Sequence, residues 1–230
     1  MKTDNAAVLL SGGMDSVAAL WWARARYDRV AAMLFDYGQP NRDQELTAAY
    51  RAAEDARADL NLRFALADTL PRGRGILAGI VDHDDQAHGL SPAFVPGRNL
   101  VMLTVAAAHA CVAFPNGNID LVIGACKEDA AGFPDCRAGV FSKLAEALRA
   151  GNGRQIGIVA PWVDLHKASI WGLISAEARE SVARSWSCYR ADGPCGACTA
   201  CVLRARAFAA AGIEDRCTRA AMTGGDGRCW

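Results

Sequence analysis

The stretch Ala6-Ala7-Val8-Leu9-Leu10-Ser11-Gly12-Gly13-Met14-Asp15-Ser16 joins an apolar run to a glycine turn and to the start of a helical pattern. Glycines let a backbone turn tightly and bring its N–H groups close to an anion. A helix that begins there points its unpaired N–H groups and the positive end of its dipole at the same place. The stretch lacks the glycine-to-lysine spacing of a Walker A loop, and its lysine. It therefore predicts a phosphate-binding loop of another type.

Strand-like and helical patterns alternate around this loop. Apolar runs predict strands at 6–10, 30–35, 61–66, 119–123 and 156–159. Helical patterns occupy 17–26, 43–60, 98–112 and 140–149, and a further helix starts at 167–174. Such alternation is typical of an α/β fold with a parallel sheet and crossover helices.

Two other regions complete the organisation of the chain. Prolines and glycines interrupt 68–97, which predicts a long loop over the sheet, and a mobile lid is a hypothesis for it. We expect an α/β domain that carries the phosphate-binding loop at 1–185 and a cysteine-rich segment, packed on it, at 186–230.

Composition excludes several classes of protein. The chain has 230 residues, of which 52% are hydrophobic, so it can bury a full core. Lys and Arg number 25, as do Asp and Glu, so no strong basic field exists to hold nucleic acid. No apolar stretch approaches the roughly 20 residues that span a bilayer. The polar, acidic amino-terminal residues do not match a secretory signal, and we expect a cytoplasmic protein without a membrane partner.

Four of the nine cysteines, Cys188, Cys195, Cys198 and Cys201, crowd into one short stretch. Zinc prefers four soft ligands in a tetrahedron, and two residues between cysteines let a tight turn present both sulfurs to one ion. Four protein ligands leave no open position, so a structural zinc site is predicted. An iron–sulfur cluster and unligated thiols stay as alternatives. The histidines show no metal-ligand spacing, and His109, in an apolar helical pattern, is expected in the core.

The loop and the cysteines together resemble the 7-cyano-7-deazaguanine synthases, a family of PP-loop ATP pyrophosphatases. The segments that carry the resemblance are 9–16, 35–39, 95–99, 132–137, 163–170 and 185–215. The last is the most specific, because a zinc-type cysteine set followed by LRARAF and AGIED rarely arises in register with a PP-loop. The resemblance implies a Rossmann-like adenine-nucleotide α-hydrolase fold, a homodimer, and ATP, Zn and Mg as cofactors.

The resemblance also implies the reaction. Family members are ATP-dependent carbon–nitrogen ligases that convert 7-carboxy-7-deazaguanine and ammonia, through the amide, into the nitrile 7-cyano-7-deazaguanine (preQ0) for queuosine biosynthesis. A carboxylate is a poor electrophile, and adenylation gives it a good leaving group. Enzymes of this kind act mainly by positioning and by stabilising charge.

Matching positions of the family pattern give the candidate residues. Those assigned to ATP are Leu10, Ser11, Gly12, Gly13, Met14, Asp15, Ser16, Val17, Ala18, Ala19 and Leu20. Those assigned a catalytic role are Asp15, Ser16, Arg98 and Lys167, and Asp15 is also a candidate for Mg²⁺. Those assigned to the acid substrate are Tyr37, Gln39, Asn99, Asp135 and Arg137. The four crowded cysteines match the zinc ligands.

Each of these side chains also has a purely structural interpretation. Arg98 and Arg137 could form ordinary surface salt bridges, and Lys167 could be a solvated helix start. Tyr37 and Gln39 follow a strand end, where open α/β sheets bind ligands, but they could equally be turn residues.

Departures from the family pattern favour a second hypothesis. Gln39 is followed by Pro40-Asn41 instead of Arg-His, and 129–140 lacks a Tyr, a Ser and a Glu of the family pattern. A diverged enzyme that adenylates another carboxylate, on a small molecule or a protein, is therefore the alternative. A tRNA-modifying PP-loop protein is disfavoured by the neutral charge, and a zinc-bearing interaction module is disfavoured by the phosphate loop.

Overall fold

A computed structural model of the chain, which describes residues 3–70, 90–91 and 93–217, contains one parallel five-stranded sheet. Its strands are β1 (Thr3–Leu9), β2 (Tyr27–Asp36), β3 (Leu60–Ala65), β4 (Ile119–Ile123) and β5 (Ile156–Val159). They lie in the order β3-β2-β1-β4-β5. The predicted parallel α/β fold is therefore confirmed.

The strand order creates a crevice at the centre of the sheet. From β1 the chain builds β2 and β3 to one side, and then returns to place β4 and β5 on the other side. The connections that leave the carboxyl ends of β1 and β4 therefore diverge. Open α/β sheets bind their ligands at such a point.

Eight α-helices lie in the described part of the chain. They are α1 (Met14–Arg24), α2 (Arg42–Asp55), α3 (Arg98–Ala113), α4 (Asp129–Gly132), α5 (Ala138–Asn152), α6 (Lys167–Ile170), α7 (Ala176–Ala183) and α8 (Thr199–Ala211). Short 3₁₀ turns occupy Pro134–Cys136 and Trp171–Leu173. Sequence patterns therefore located most helices, although their ends differ.

Two helix expectations were wrong. The predicted helix 43–60 ends at Asp55, because Arg57 adopts a left-handed φ of 51° and Leu60 pairs with Ala31 of β2. The helix expected at 167–174 is instead α6 followed by a 3₁₀ turn. After that break, Ser175 caps a separate helix, α7, by accepting a hydrogen bond from the backbone N–H of Ala178.

Apolar residues of β1 alternate between two cores. Ala6 and Val8 face the side covered by α1 and α7, whereas Ala7 and Leu9 face the side covered by α3 and α5. His109 is not a core residue, contrary to expectation, because it lies on the face of α3 opposite the buried positions. Its ring contacts that of Phe64, with 4.6 Å between centroids.

The cysteine-rich stretch shares these cores. Ala207 and Phe208 of α8 are buried in the same cluster as α1, and Trp186 packs with Ala48 of α2 and with the cysteines. The proposed division at residue 185 stays a prediction, as does the homodimer.

Two further expectations concern the loop at 68–97 and a membrane-spanning segment. Most of the expected loop, 71–89 and residue 92, lies outside the described residues, and so does the lid hypothesis built on it. In the part of the chain that is described, no helix has the length and apolarity required to cross a membrane.

Candidate functional site

The phosphate loop turns between β1 and α1 under tight backbone contacts. Gly12 has a φ of 80°, and a Cβ there would lie 2.3 Å from the carbonyl oxygen of Glu45. At the end of β4, a Cβ on Gly124 would lie 2.6 Å from the carbonyl carbon of Asp15. Only glycine permits these two approaches, which press α2 and β4 against the loop.

The first turn of α1 is left open to a ligand. Gly13 caps the helix without a side-chain hydrogen bond, so the first backbone N–H groups of α1 lack a capping partner. Ser16 Oγ donates to the carbonyl oxygen of Gly13 over 2.9 Å, and Ser11 Oγ lies 3.1 Å from Ser16 Oγ. This arrangement suits an anion at the amino terminus of α1.

Lys167 lies against the loop between two carboxylates. Its Nζ is 2.5 Å from Asp15 Oδ2 and 3.3 Å from Asp129 Oδ1. Burial alone would lower the pKa of Lys167, but these two carboxylates raise it well above its ordinary value, so the ammonium stays charged. Burial raises the pKa of Asp15; the charge of Lys167 opposes that rise, and the carboxylates of Asp129 and Glu128 add to it.

Glu128 and Cys126 fix the base of this ion cluster. The backbone N–H of Lys167 donates to Glu128 Oε1 over 3.2 Å. Cys126 Sγ donates to Asp129 Oδ2 over 3.1 Å and to Glu128 Oε2 over 3.3 Å. Burial and the neighbouring carboxylates raise the pKa of the Cys126 thiol, so it acts as a hydrogen-bond donor and not as a thiolate.

Arg98 approaches the cavity from the first turn of α3 in a different environment. Its Nη1 donates to Tyr37 Oη over 3.3 Å, and its guanidinium carbon lies 5.4 Å from the centre of the Tyr37 ring. Its Nε donates to Asn99 Oδ1 over 3.3 Å. Within residues 3–70, 90–91 and 93–217, no carboxylate lies within ion-pair distance of Arg98, but burial opposes and the charges of Tyr37, Asp135, Cys136 and Glu45 favour its cationic form, and its pKa is raised.

Gln39 lies behind the cavity wall. It is only 4% exposed, and its side chain accepts from the backbone N–H of Tyr37 over 3.0 Å. Its Nε2 donates to Glu45 Oε2 over 2.9 Å, and Asn41 Nδ2 donates to Glu45 Oε1 over 3.0 Å. Two amides therefore hold both oxygens of Glu45.

The segment 135–137 distributes its side chains unequally. Asp135 is buried and accepts from the backbone N–H of Asn99 over 3.2 Å, at the start of α3. Asn99 Nδ2 donates to Cys136 Sγ over 3.3 Å. Arg137 is exposed, and its Nε donates to the carbonyl oxygen of Ala130 over 3.2 Å.

The four clustered cysteines bring their sulfur atoms together. All four Sγ atoms lie within 4.8 Å of one another, and those of Cys195 and Cys201 are 3.9 Å apart. Tetrahedral zinc with Zn–S bonds of about 2.3 Å places its sulfurs about 3.8 Å apart. The donor set therefore fits a single metal ion. The thiolates of a four-iron cluster bind different iron atoms and would lie further apart.

Backbone amides also point at these sulfurs. The N–H groups of Arg190 and Cys195 donate to Cys188 Sγ over 3.4 and 3.3 Å. The N–H of Cys198 donates to Cys195 Sγ over 3.3 Å. Such bonds stabilise negative charge on the sulfurs.

The cysteine segment is bonded to the phosphate loop. The backbone N–H of Trp186 donates to the carbonyl oxygen of Gly12 over 2.9 Å. Asn41 Nδ2 and Trp186 Nε1 both donate to the carbonyl oxygen of Cys188, each over 2.7 Å. Within the segment itself, Arg204 Nη1 donates to Ser185 Oγ over 2.7 Å.

These parts line one cavity of about 530 Å³ at the carboxyl end of the sheet. The predicted site residues that line it are Leu10, Ser11, Gly13, Met14, Asp15, Ser16, Tyr37, Arg98, Asn99 and Lys167. The predicted site residues that do not line it are Gly12, Val17, Ala18, Ala19, Leu20, Gln39, Asp135, Arg137 and the four clustered cysteines. Val17 to Leu20 are buried in the core of α1. The roles assigned to all these residues stay predictions.

Sequence reasoning missed other residues that line the cavity, several of them charged or aromatic. Among them are Glu45, Glu128, Asp129, Cys136, Trp186 and Tyr189. Position after a strand end, which had flagged Tyr37, would also have flagged Glu128 and Asp129 after β4. No comparable signal marks Glu45, which reaches the cavity through the packing of α2 on the loop.

The chain is similar to several known proteins. The family model described as "Queuosine biosynthesis protein QueC" matches residues 5–212. A 7-cyano-7-deazaguanine synthase of Laribacter hongkongensis is 40% identical over 220 residues, which cover 92% of this chain and 93% of that protein. A protein of the same name from Chromobacterium violaceum is 39% identical over 92% of each chain.

A solved structure is also similar. It is the U34-tRNA thiolase NcsA from Methanococcus maripaludis with its [4Fe-4S] cluster. It is 18% identical, with a TM-score of 0.48, and the match covers 78% of this chain and 58% of that one.

Proposed function

The chain belongs to the QueC family of queuosine biosynthesis proteins, and on that premise we propose that it is an ATP-dependent 7-cyano-7-deazaguanine synthase. The observation that carries the proposal is the convergence of the phosphate loop, Lys167 and Arg98 on one cavity. An open helix terminus and two cationic side chains suit a nucleotide and an acid that must react with each other.

The reaction would use two molecules of ATP. The carboxylate oxygen of 7-carboxy-7-deazaguanine attacks the α-phosphorus of ATP, and pyrophosphate leaves. Ammonia attacks the acyl carbon, AMP leaves, and a proton is lost to give the amide. The amide oxygen then attacks a second ATP, again with loss of pyrophosphate. Loss of AMP and a proton forms the nitrile.

The loop residues would hold ATP in this scheme. Backbone N–H groups at the start of α1, with the hydroxyls of Ser11 and Ser16, would bind the phosphates. Lys167, which stays charged, would stabilise the negative charge that moves toward the leaving pyrophosphate. Holding the reactants in line on a rigid loop would supply much of the remaining acceleration.

Mg²⁺ would be held by Asp15 and Asp129. Asp15 Oδ1 is buried and accepts no hydrogen bond from the described part of the chain. An oxygen of Asp15 and one of Asp129 lie within 4.8 Å of each other, and Mg²⁺ favours a few carboxylates together with substrate phosphates. The ion would neutralise charge between the phosphates.

Arg98 would bind the acid substrate. No described carboxylate lies within ion-pair distance of its guanidinium. The guanidinium suits the carboxylate or the acyl phosphate of the substrate by bidentate hydrogen bonding. Tyr37, which stacks under it, would fix its plane. Asn99 would restrain its Nε.

The four clustered cysteines would hold zinc in a structural role. Their closed sulfur set leaves no position for substrate, and hydrogen bonds join their segment to Gly12 and Asn41. Metal analysis of the purified protein should find one zinc per chain. Iron with acid-labile sulfide in place of zinc would favour the cluster alternative.

A turnover assay tests the proposal. Purified protein, MgATP, ammonium and 7-carboxy-7-deazaguanine should release pyrophosphate, and mass spectrometry should detect first the amide and then the nitrile. An Asp15→Ala/Ser16→Ala variant is the control and should form neither. ATP binding without turnover of this acid would contradict the synthase and favour the enzyme that adenylates another carboxylate.

A further inference from the structure

Glu45 of α2 is a carboxylate that the scheme above does not use. It lines the cavity and lies within ion-pair distance of no described Lys, Arg or His side chain, although the charge of Arg98 acts on it from farther away. Burial raises its pKa, and the amides of Gln39 and Asn41 oppose that rise by donating to its two oxygens. Sequestering a carboxylate without a cation is costly unless a donor meets it.

The two amides also fix how this carboxylate is presented. Each oxygen of Glu45 accepts one protein hydrogen bond, over 2.9 and 3.0 Å, and a carboxylate oxygen can accept two. Asn41 is itself anchored to the carbonyl oxygen of Cys188, and Gln39 donates to the carbonyl oxygen of Phe35 over 3.3 Å. Each oxygen of Glu45 can therefore accept one further hydrogen bond from a ligand in the cavity that it lines.

Aromatic side chains also line the cavity. Phe35 and Tyr37 come from the end of β2, and Trp186 and Tyr189 come from the cysteine segment. Trp186 joins the network of Glu45, because its Nε1 donates to the carbonyl oxygen that also binds Asn41. Aromatic walls suit a flat heterocycle.

We propose that Glu45 is a specificity-determining residue that accepts two hydrogen bonds from the N–H edge of a guanine-type ring. A guanine edge presents a ring N–H beside an amino group, so it offers two parallel donors. An adenine edge presents its amino group beside an acceptor nitrogen, which would face one oxygen of Glu45 unfavourably. The carboxylate thus selects the deazaguanine acid over the adenine of ATP. This inference rests on the proposed function, since it names the part of the proposed substrate that the site recognises.

The test combines Glu45→Gln with a change in the substrate. In Glu45→Gln an amide N–H₂ replaces one acceptor and meets a donor of the ring. With 7-carboxy-7-deazaguanine, kcat/KM should fall on the order of 10- to 100-fold, since a bond to a charged group is worth about 1.5–3 kcal/mol. The KM for ATP should not change. With the analogue that lacks the 2-amino group, the kcat/KM of the wild-type protein should fall by a similar factor. With that analogue, Glu45→Gln should lower kcat/KM little further.

Two further variants keep the test decisive. Glu54→Gln changes an exposed carboxylate on the same helix and should leave all constants unchanged. Gln39→Met removes one of the two amides and should raise the KM for the acid without altering that for ATP. Circular dichroism and urea unfolding would show that each variant is folded. If Glu45→Gln is not, Gln39→Met carries the comparison between the two acids.

Several outcomes would overturn the inference. One is an equal loss of kcat/KM in Glu45→Gln for both acids, which would show that Glu45 does not recognise the amino group. Another is a rise in the KM for ATP instead, which would assign Glu45 to adenine.

Equilibrium binding of the acid by calorimetry separates this inference from the synthase proposal. Binding that weakens in Glu45→Gln, in a protein that forms no nitrile, would support Glu45 and contradict the synthase. No binding of the acid to the wild-type protein would overturn both.

Discussion

Lys167 and Arg98 line the same cavity, but they meet opposite surroundings. Lys167 lies between Asp15 and Asp129 within 3.3 Å, so its charge is compensated by the protein. Arg98 donates to Tyr37 and Asn99, which are neutral, and the carboxylates of Asp135 and Glu45 act on it only from beyond ion-pair distance.

The difference separates stability from binding. A buried cation with two carboxylates contributes to folding, because its removal leaves those carboxylates uncompensated. A cation that no carboxylate contacts directly is less fully compensated by the protein, and its donors are left for an anion that binds. Lys167 should therefore matter to both stability and turnover, and Arg98 to turnover alone.

The largest expected effect is that of Lys167→Met. Methionine keeps the length of the stem and removes the charge, so Asp15 and Asp129 remain buried without a cation. Breaking a buried pair in this way costs about 3 kcal/mol or more in the free energy of unfolding, as measured by urea denaturation. Turnover should fall on the order of 10³-fold. The exposed Lys127 provides the control, and Lys127→Met should change neither quantity.

The pH dependence of this stability difference has a definite sign. The carboxylates raise the pKa of Lys167 above its unfolded value of about 10.4, so the stability it contributes is complete below that pH. It is lost as the pH rises through the folded pKa. The wild-type and Lys167→Met proteins should therefore differ by a constant amount from neutral pH to about pH 10 and converge above it. A gap that closes below pH 9 would contradict the ion cluster.

Arg98→Met tests whether the two cations differ in their contribution to stability. The expected unfolding free energy stays within about 1 kcal/mol of the wild type, because no ion pair is lost. The kcat/KM for the acid should fall on the order of 10²-fold through loss of a bidentate contact. Arg206→Met, at an exposed position of α8, is the matched control. A stability loss as large as that of Lys167→Met would show that Arg98 is paired in solution.

The sequence predicted the parts of the fold that depend on local patterns. The strands at 119–123 and 156–159 match β4 and β5 residue for residue, because each is a short apolar run bounded by polar or glycine residues. Helix α8 was not predicted, because its apolar residues lie on several sides and show no single stripe. The end of α2 was misplaced because Leu60 and Ala65 pair with residues of β2. This pairing joins residues far apart in the chain, so the local sequence does not show it.

The parts of the site that depend on residues close together in the sequence could be predicted. The phosphate loop depends on adjacent glycines, and the cysteine set on its spacing. The ion cluster around Lys167 was only partly predictable, since Asp129 reaches it from the end of another strand. Gln39 was expected to contact substrate, but it lies behind Glu45, which no pattern marked.

A smaller effect is expected from Glu128→Gln, which sharpens the role of the surroundings of Lys167. The carboxylate accepts from the backbone N–H of Lys167 and from Cys126 Sγ. The amide keeps the shape, but its single oxygen can accept only one of these two bonds and its N–H₂ group cannot accept the other, so Nζ should be less firmly placed. We expect kcat to fall about tenfold, as for the loss of about 1.4 kcal/mol, with the KM for ATP unchanged. Glu146→Gln, at an exposed position of α5, is the control. An unchanged kcat would show that Lys167 is positioned by its side-chain partners alone.

The smallest effect is expected from Cys126. Its buried thiol donates to Asp129 and Glu128, but Asp129 Oδ2 also accepts from the backbone N–H of Cys126 over 3.0 Å. Cys126→Ala therefore removes one of two bonds and leaves a small cavity, which together should cost about 1 kcal/mol in unfolding free energy. Cys126→Ser keeps a donor and should lose less of kcat than alanine, although its hydroxyl is shorter. If alanine matched the wild type in both stability and kcat, the thiol would be packing alone. A loss as large as that of Lys167→Met would instead mean that Cys126 holds the ion cluster in place.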